Sequence, residues 1–154
     1  MEPASKDRQY IEHTTISEDW SIYRLKDGTV LKTKMVVIKF IKMGPTAFQV
    51  NGVSVVGTVP ANELLGPPGT RFYSPELLAE SVVDPDIEFE TIKEDWNSYR
   101  LKDDGIVQIK HMLMNIGRTK LFDERGEPIY QVNTQDIVKA TGMTKPKSGA
   151  AVPS

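Results

Sequence analysis

Two acid pairs, each followed directly by a tryptophan, are the residues whose types could perform acid/base chemistry. Glu18-Asp19 precedes Trp20, and Glu94-Asp95 precedes Trp96. Paired carboxylates can share the roles of general acid and general base, but adjacent side chains point in different directions and no further catalytic group stands at a known spacing. We therefore interpret the carboxylates as turn-capping groups ahead of a strand, and each tryptophan as a cover for one end of a small barrel. No catalytic residue is predicted.

A basic surface interleaved with aromatic rings is the second chemically suggestive pattern, because small barrels that bind single-stranded nucleic acid use such a mixture. The candidate binding residues are Trp20, Arg24, Lys26, Lys32, Lys34, Trp96, Arg100 and Lys102. Lysine on exposed strands is also a common protection against edge pairing. Nucleic-acid binding is therefore the second hypothesis for this chain.

The remaining patterns point to no metal and no cofactor. His13 and His111 are the only histidines, and His111 stands in the alternating apolar set of a strand, where a packed or partly exposed histidine is expected. Residues 64–70, LLGPPGT, resemble the opening of a phosphate-binding loop, but Arg71-Phe72-Tyr73 stands where the glycine-lysine-serine/threonine ending is required. A proline-glycine turn is predicted there instead.

The candidate residues belong to a tandem repeat. Residues 15–27 read TISEDWSIYRLKD and residues 91–103 read TIKEDWNSYRLKD, with ten of the thirteen positions identical. Leu31 corresponds to Val107 at the same offset, and further on residues 48–51 (FQVN) recur as residues 130–133 (YQVN). The sequence therefore contains two copies of a unit of roughly 45 to 50 residues.

The repeated segment has the pattern of a β-hairpin. Asp27-Gly28 is a strong turn signal, and before it Tyr23 and Leu25 alternate with basic residues, as in a half-buried strand whose apolar face is turned to the core. The next strand becomes apolar on both faces, which predicts a bent strand that serves two packed sheets in turn. Asn51-Gly52 predicts a second turn.

Composition sets broad limits on the class of protein. The chain has 154 residues, 39% hydrophobic and 26% charged, with a formal net charge of -2. This balance is ordinary for a globular protein and gives no overall attraction to nucleic acid or anionic membranes. Because cysteine is absent, disulfides and thiol chemistry are excluded. The sequence has no apolar stretch of signal-peptide or membrane-helix type, so a cytoplasmic protein that does not bind membranes is expected.

The sequence divides into five segments. These are a flexible N-terminus (1–12), a first β repeat (13–58), a proline-rich connector (59–90), a second β repeat (91–142) and a disordered tail (143–154). The connector has seven acidic residues and one basic residue, whereas the first repeat has a net charge of +3. Ser74 followed by Pro75 predicts one short helix from Pro75 to about Ser81, and residues 61–65 could add a helical turn.

The strand pattern predicts a mainly β fold in which two small open barrels, of the SH3-like or Sm-like kind, pack together. Units this small hold too little core to fold alone, so a single composite domain with approximate two-fold symmetry is expected. Exposed strand edges without a catalytic set are typical of binding modules. The leading hypothesis is a non-enzymatic scaffold that binds a protein partner or self-associates, and an enzyme acting through carboxylates ranks third, after nucleic-acid binding.

Overall fold

The computed structural model describes residues 9–44, 47–102 and 105–142, and the fold is mainly β. The strands are β1 (Gln9–Ile11), β2 (His13–Ser17), β3 (Ser21–Leu25), β4 (Val30–Lys42), β5 (Phe48–Val59), β6 (Val82–Asp84), β7 (Phe89–Lys93), β8 (Trp96–Leu101), β9 (Ile106–Phe122) and β10 (Pro128–Thr141). A 3-10 turn (Asn62–Leu64) and helix α1 (Pro75–Glu80) lie between β5 and β6.

The strands form two open five-stranded antiparallel sheets, each organised around one long strand. In the first sheet β5 pairs along one edge of β4, while β3 and β1 pair with residues 30–33 and 40–42 on its other edge. In the second sheet β10 pairs along one edge of β9, and β8 and β6 pair with its other edge. The two sheets therefore have the same plan, with one sheet built mainly from each repeat.

The outermost strands β2 and β7 are exchanged between the repeats. β2 belongs to the first repeat but pairs with β8 in the second sheet, and β7 belongs to the second repeat but pairs with β3 in the first sheet. The registers are reciprocal, because Thr15 lies opposite Tyr99 and Thr91 lies opposite Tyr23. Each sheet is thus completed by a strand from the other repeat, as in a domain swap within one chain.

The buried apolar side chains form two core clusters, and each contains residues of both repeats. Cluster one consists of Val37, Phe40, Phe48, Tyr99, Leu101, Val107 and Ile109. Cluster two consists of Tyr23, Leu25, Leu31, Ile87, Leu113 and Ile116. The first half of β4 packs with the second half of β9, and the second half of β4 packs with the first half of β9. Removing either repeat would therefore take apolar partners from both clusters.

The local predictions for the first hairpin and the connector are confirmed. Tyr23 and Leu25 are buried while Arg24 is exposed, as the alternation predicted, and Gly28 has a φ of 94° in the hairpin turn. Helix α1 begins after Ser74, whose side chain accepts a hydrogen bond from the Leu77 amide and so caps the helix. The 3-10 turn falls where a helical turn was expected.

The prediction of a turn at Asn51-Gly52 is wrong, because β5 runs straight through both residues. A Cβ on Gly52 would lie 2.6 Å from the carbonyl oxygen of Val36, so glycine serves here to let two strands approach closely. The prediction that the next strand serves two sheets in turn is also wrong. β4 stays within one sheet, and its register shifts between Val37 and Lys39.

The predicted flexible and disordered ends are only partly covered by the structure. Residues 9–11 of the expected flexible N-terminus form β1. Residues 1–8 and the predicted tail, 143–154, lie outside the described residues. The likeness to SH3-like or Sm-like barrels stays a prediction.

Candidate binding surfaces

The repeated Glu-Asp-Trp segments are the places where the exchanged strands cross from one sheet to the other. Glu18 Oε2 accepts hydrogen bonds from the Tyr99 hydroxyl, at 2.9 Å, and from the Val37 amide, at 3.0 Å. Glu94 Oε2 accepts the reciprocal hydrogen bond from the Tyr23 hydroxyl. Both glutamates therefore form hydrogen bonds that join one repeat to the other, which is a structural role for the acid pairs.

Burial affects the two bridging tyrosines in the same way. Burial first, and the neighbouring Glu94 carboxylate second, raise the pKa of Tyr23 to about 12. Burial and Glu18 likewise raise the pKa of Tyr99. The phenols therefore stay neutral hydrogen-bond donors further into the alkaline range than an ordinary tyrosine does.

The aspartates of the acid pairs are exposed and are bridged by a lysine. Lys93 forms ion pairs with Asp19 and, at 3.6 Å, with Asp95. The hydrogen bond from Lys93 holds the pKa of Asp19 below its usual value, and the same contact raises the pKa of Lys93. A carboxylate whose pKa is lowered is a poor proton donor at neutral pH, so this arrangement does not favour acid catalysis.

Trp20 lies on the outer surface of the first sheet with two lysines over its ring. The Nζ atom of Lys32 is 5.2 Å from the ring centroid, and that of Lys34 is 5.4 Å from it. Both lysines alternate with the buried Thr33 along β4, so they project from the outer side of the sheet. We call these three residues the first tryptophan face. Trp20 is half-buried, and its predicted role as the cover of a barrel end stays a prediction.

Trp96 forms the equivalent surface on the second sheet. Lys110, opposite Trp96 in the β8–β9 register, places Nζ 5.3 Å from the ring centroid, and Lys139 of β10 places Nζ at 4.5 Å. These residues form the second tryptophan face. Sequence reasoning missed Lys110 and Lys139, although Lys110 occupies the position in its repeat that Lys34 occupies in the first. Only the β9–β10 pairing brings Lys139 to the ring.

The other predicted binding residues lie apart from these faces. Lys26 faces Glu88 at 3.8 Å, and Lys102 faces Glu12 at 3.4 Å, so each is paired with an acid next to an exchanged strand. Arg24 lies opposite Glu90 in the register of β3 and β7. Arg100, opposite Thr14, is exposed on the second sheet. The structure thus groups Lys32 and Lys34 with Trp20 and leaves the remaining cations beside acidic or polar neighbours.

A second kind of surface is the edge of β5. Among the described residues this strand pairs only with β4, and its sequence, FQVNGVSVVGTV, contains no charged residue and no proline. The second half of β5 carries four valines with large exposed fractions: Val53 50%, Val55 40%, Val56 42% and Val59 61%. The equivalent strand β10 has Asp136 at the position of Ser54 and Lys139 at that of Gly57. The edge strand β10 therefore contains charged residues in this stretch, whereas β5 contains none.

His111 is the centre of a polar network between the two sheets. Its Nδ1 lies 2.6 Å from Asp136, and its Nε2 lies 3.0 Å from the Thr33 hydroxyl and 3.2 Å from that of Ser54. A serine, an imidazole and a carboxylate in series can perform acyl transfer. Here the imidazole is only 2% exposed and the buried Thr33 hydroxyl lies nearer to Nε2 than Ser54 does. We therefore interpret the network as a buried bridge that joins β9 and β10 to the first sheet.

Comparison with protein-family models, with curated proteins and with solved structures gives no match. In the described part of the chain, no helix is long and apolar enough to cross a membrane.

Proposed function

We propose that this chain is a non-enzymatic scaffold that self-associates through the edge of β5. The observation that carries the proposal is the contrast between two equivalent strands, of which β10 is interrupted by Asp136 and Lys139 while β5 has no charge along its length. Natural sheets protect their free edges with charged side chains, prolines or covering segments, because unpaired backbone groups invite another strand. An unprotected edge is therefore best explained by a strand that covers it.

A second copy of this chain is the partner that fits the edge best. Two β5 strands can pair antiparallel across a two-fold axis, so that each copy offers the same surface to the other. Because β5 has no charged residue, this pairing brings no like charges together, and the net charge of -2 opposes association only weakly. The two five-stranded sheets would join into one continuous sheet of ten strands.

The exposed valines would add apolar contact to the backbone hydrogen bonds. Side chains alternate along a strand, so Val53 and Val55 project from one face of β5 and Val56 projects from the other. Cross-strand contacts between β-branched side chains each contribute about 0.2–1 kcal/mol. Pairing would thus cover apolar groups on both faces of the joined sheet.

The finer features of this proposal follow from the sequence. Each repeat would correspond to a small barrel-like unit of SH3-like or Sm-like form, completed by the strand received from the other repeat. The proposed self-association needs no cofactor and no metal. We place the protein in the cytoplasm, and fractionation of cells that express the tagged full chain would test this location. Nucleic-acid binding is the second candidate and would use the tryptophan faces, because each places two cations beside an aromatic ring.

Light scattering coupled to size exclusion, applied to the full chain over a dilution series, tests self-association. Val55→Lys should abolish the dimer, because a lysine in β5 would meet its own copy near the two-fold axis. Ile137→Lys is a matched control, since Ile137 holds the same position in β10, is 43% exposed against 40% for Val55, and also faces a lysine across its strand pair.

Two results would contradict the proposal. One is a wild-type chain that stays monomeric at the highest concentration reached. The other is a dimer that survives Val55→Lys and dissociates with Ile137→Lys, which would move the interface to β10. Melting curves of both variants would establish that the monomers remain folded.

A further inference from the structure

We infer that the two tryptophan faces are binding sites for single-stranded nucleic acid. Each face combines a partly exposed indole ring with two ammonium groups, at 5.2 and 5.4 Å on the first sheet and at 5.3 and 4.5 Å on the second. A planar ring offers a stacking surface to an unpaired base, and lysines beside it can neutralise the phosphates that flank that base. The combination matches the chemistry of a single strand.

The geometry favours an unpaired strand over a duplex. Both faces lie on the outer surface of a sheet, where the partly exposed ring can take an unstacked base once the lysines over it move aside. A duplex keeps the flat faces of its bases inside the stack, so that only its phosphates could reach the lysines. Stacking on Trp20 or Trp96 therefore requires single-stranded nucleic acid, or a base extruded from a duplex.

The lysines over the rings do not block this use. Cation–π contacts at exposed sites are weak and lysine side chains are flexible, so an arriving base can displace the ammonium groups from the ring. The displaced groups then remain within reach of the sugar-phosphate chain. Acidic neighbours oppose the binding, but Asp19, beside the first face, is neutralised by its ion pair with Lys93.

The duplication gives the two faces a tryptophan and one lysine at matching repeat positions, which makes the binding bivalent. Lys34 and Lys110 hold the same repeat position, as do Trp20 and Trp96, so a strand that reaches both faces would gain avidity from the second contact. Removal of either face alone should then weaken binding to a long oligonucleotide more than binding to a short one. The first face adjoins the β5 edge, because Lys34 lies opposite Val55, but the inference does not depend on self-association.

Fluorescence anisotropy with labelled oligo(dT), together with quenching of tryptophan emission, tests the inference at a series of salt concentrations. The double variant Lys34→Gln with Lys110→Gln should lower the salt slope, d log K/d log[salt], by about 1.4, because each lost phosphate contact removes about 0.7. Lys26→Gln with Lys102→Gln removes two lysines outside the faces and should leave the slope unchanged. Trp20→Ala and Trp96→Ala should each weaken binding by about 5- to 140-fold, the range for loss of one base–aromatic stack.

The outcomes separate this inference from its alternatives. Absence of binding at low salt overturns it, as does an equal loss of slope in the control double variant. Binding of a duplex as tightly as a single strand, without tryptophan quenching, would show a charge effect without stacking and would also overturn it. Val55→Lys adds an ammonium group opposite Lys34, so this variant should still bind through both faces. A wild-type chain that binds but stays monomeric contradicts only the scaffold proposal, and a dimer that does not bind contradicts only this one.

Discussion

The Tyr23 hydroxyl of the first repeat donates a hydrogen bond to the Glu94 carboxylate of the second. The same hydroxyl accepts a hydrogen bond from the Leu113 amide at 3.0 Å, so Tyr23 ties β3 to both the exchanged strand and the second long strand. The equivalent pair, Tyr99 and Glu18, makes the reverse connection. The glutamate and tyrosine of the repeated motif are thus the groups that hold the exchanged strands in place.

Removing either partner of this connection should destabilise the fold. Tyr23→Phe and Glu94→Gln should each lower the free energy of unfolding by about 1.5–3 kcal/mol, the range for loss of a hydrogen bond to a charged group. The double variant should cost less than the sum of the two, because the residues act on each other. Urea denaturation measures all three, and Tyr10→Phe, at an exposed ring, is the control. Strict additivity would contradict a direct connection.

Separate halves of the chain should not fold. A fragment of residues 1–60 contains β3 and β4 but lacks β7, which completes the first sheet, and it lacks the second-repeat residues of both core clusters. Circular dichroism should show no cooperative transition for this fragment or for residues 61–154, whereas an equimolar mixture should recover one. A cooperative transition with dispersed amide resonances for residues 1–60 alone would contradict the composite core.

Stability should fall in alkaline solution through the buried tyrosines. The pKa of Tyr23 and that of Tyr130 are both raised to about 12, mainly by burial, whereas an unfolded tyrosine titrates near ~10. Because the folded pKa is the higher one, the stabilisation is complete below pH ~10 and is lost as the pH rises toward about 12, at up to ~1.4 kcal/mol per pH unit for each tyrosine. Phenolate absorbance and circular dichroism, followed together, should change in the same range. Ionisation of all five tyrosines near pH ~10 with the fold intact would contradict this expectation.

The His111 network should respond to a change of one residue and recover with a second. His111→Met installs the side chain that the first repeat has at position 35, but it leaves Asp136 without its ring partner and should cost about 1–3 kcal/mol. Adding Asp136→Ser, the residue found at position 54, should restore most of the loss. Thermal denaturation of the single and double variants measures this. A double variant as unstable as the single one would show that the histidine ring itself, and not its pairing, supports the contact between the sheets.

Much of the local structure could be predicted from the sequence. The alternation of Tyr23 and Leu25 with basic residues placed the correct face of β3 in the core, and Ser74 with Pro75 located α1. These features depend on side-chain periodicity and backbone preferences within a few residues. The turn predicted at Asn51-Gly52 failed because a glycine required for a close approach between strands has the same local signal as a glycine required for a turn.

The repeat itself, the first hairpin and the inward face of β3 were therefore determined by the sequence alone. The tertiary structure decided which sheet receives β2 and β7, because a strand alternates in the same way whichever neighbour it pairs with. It also decided that Lys139 reaches Trp96 and that Glu18 and Glu94 face the tyrosines of the opposite repeat. Such contacts join residues far apart in the chain, and their distances follow from the pairing of whole strands, which no local pattern records.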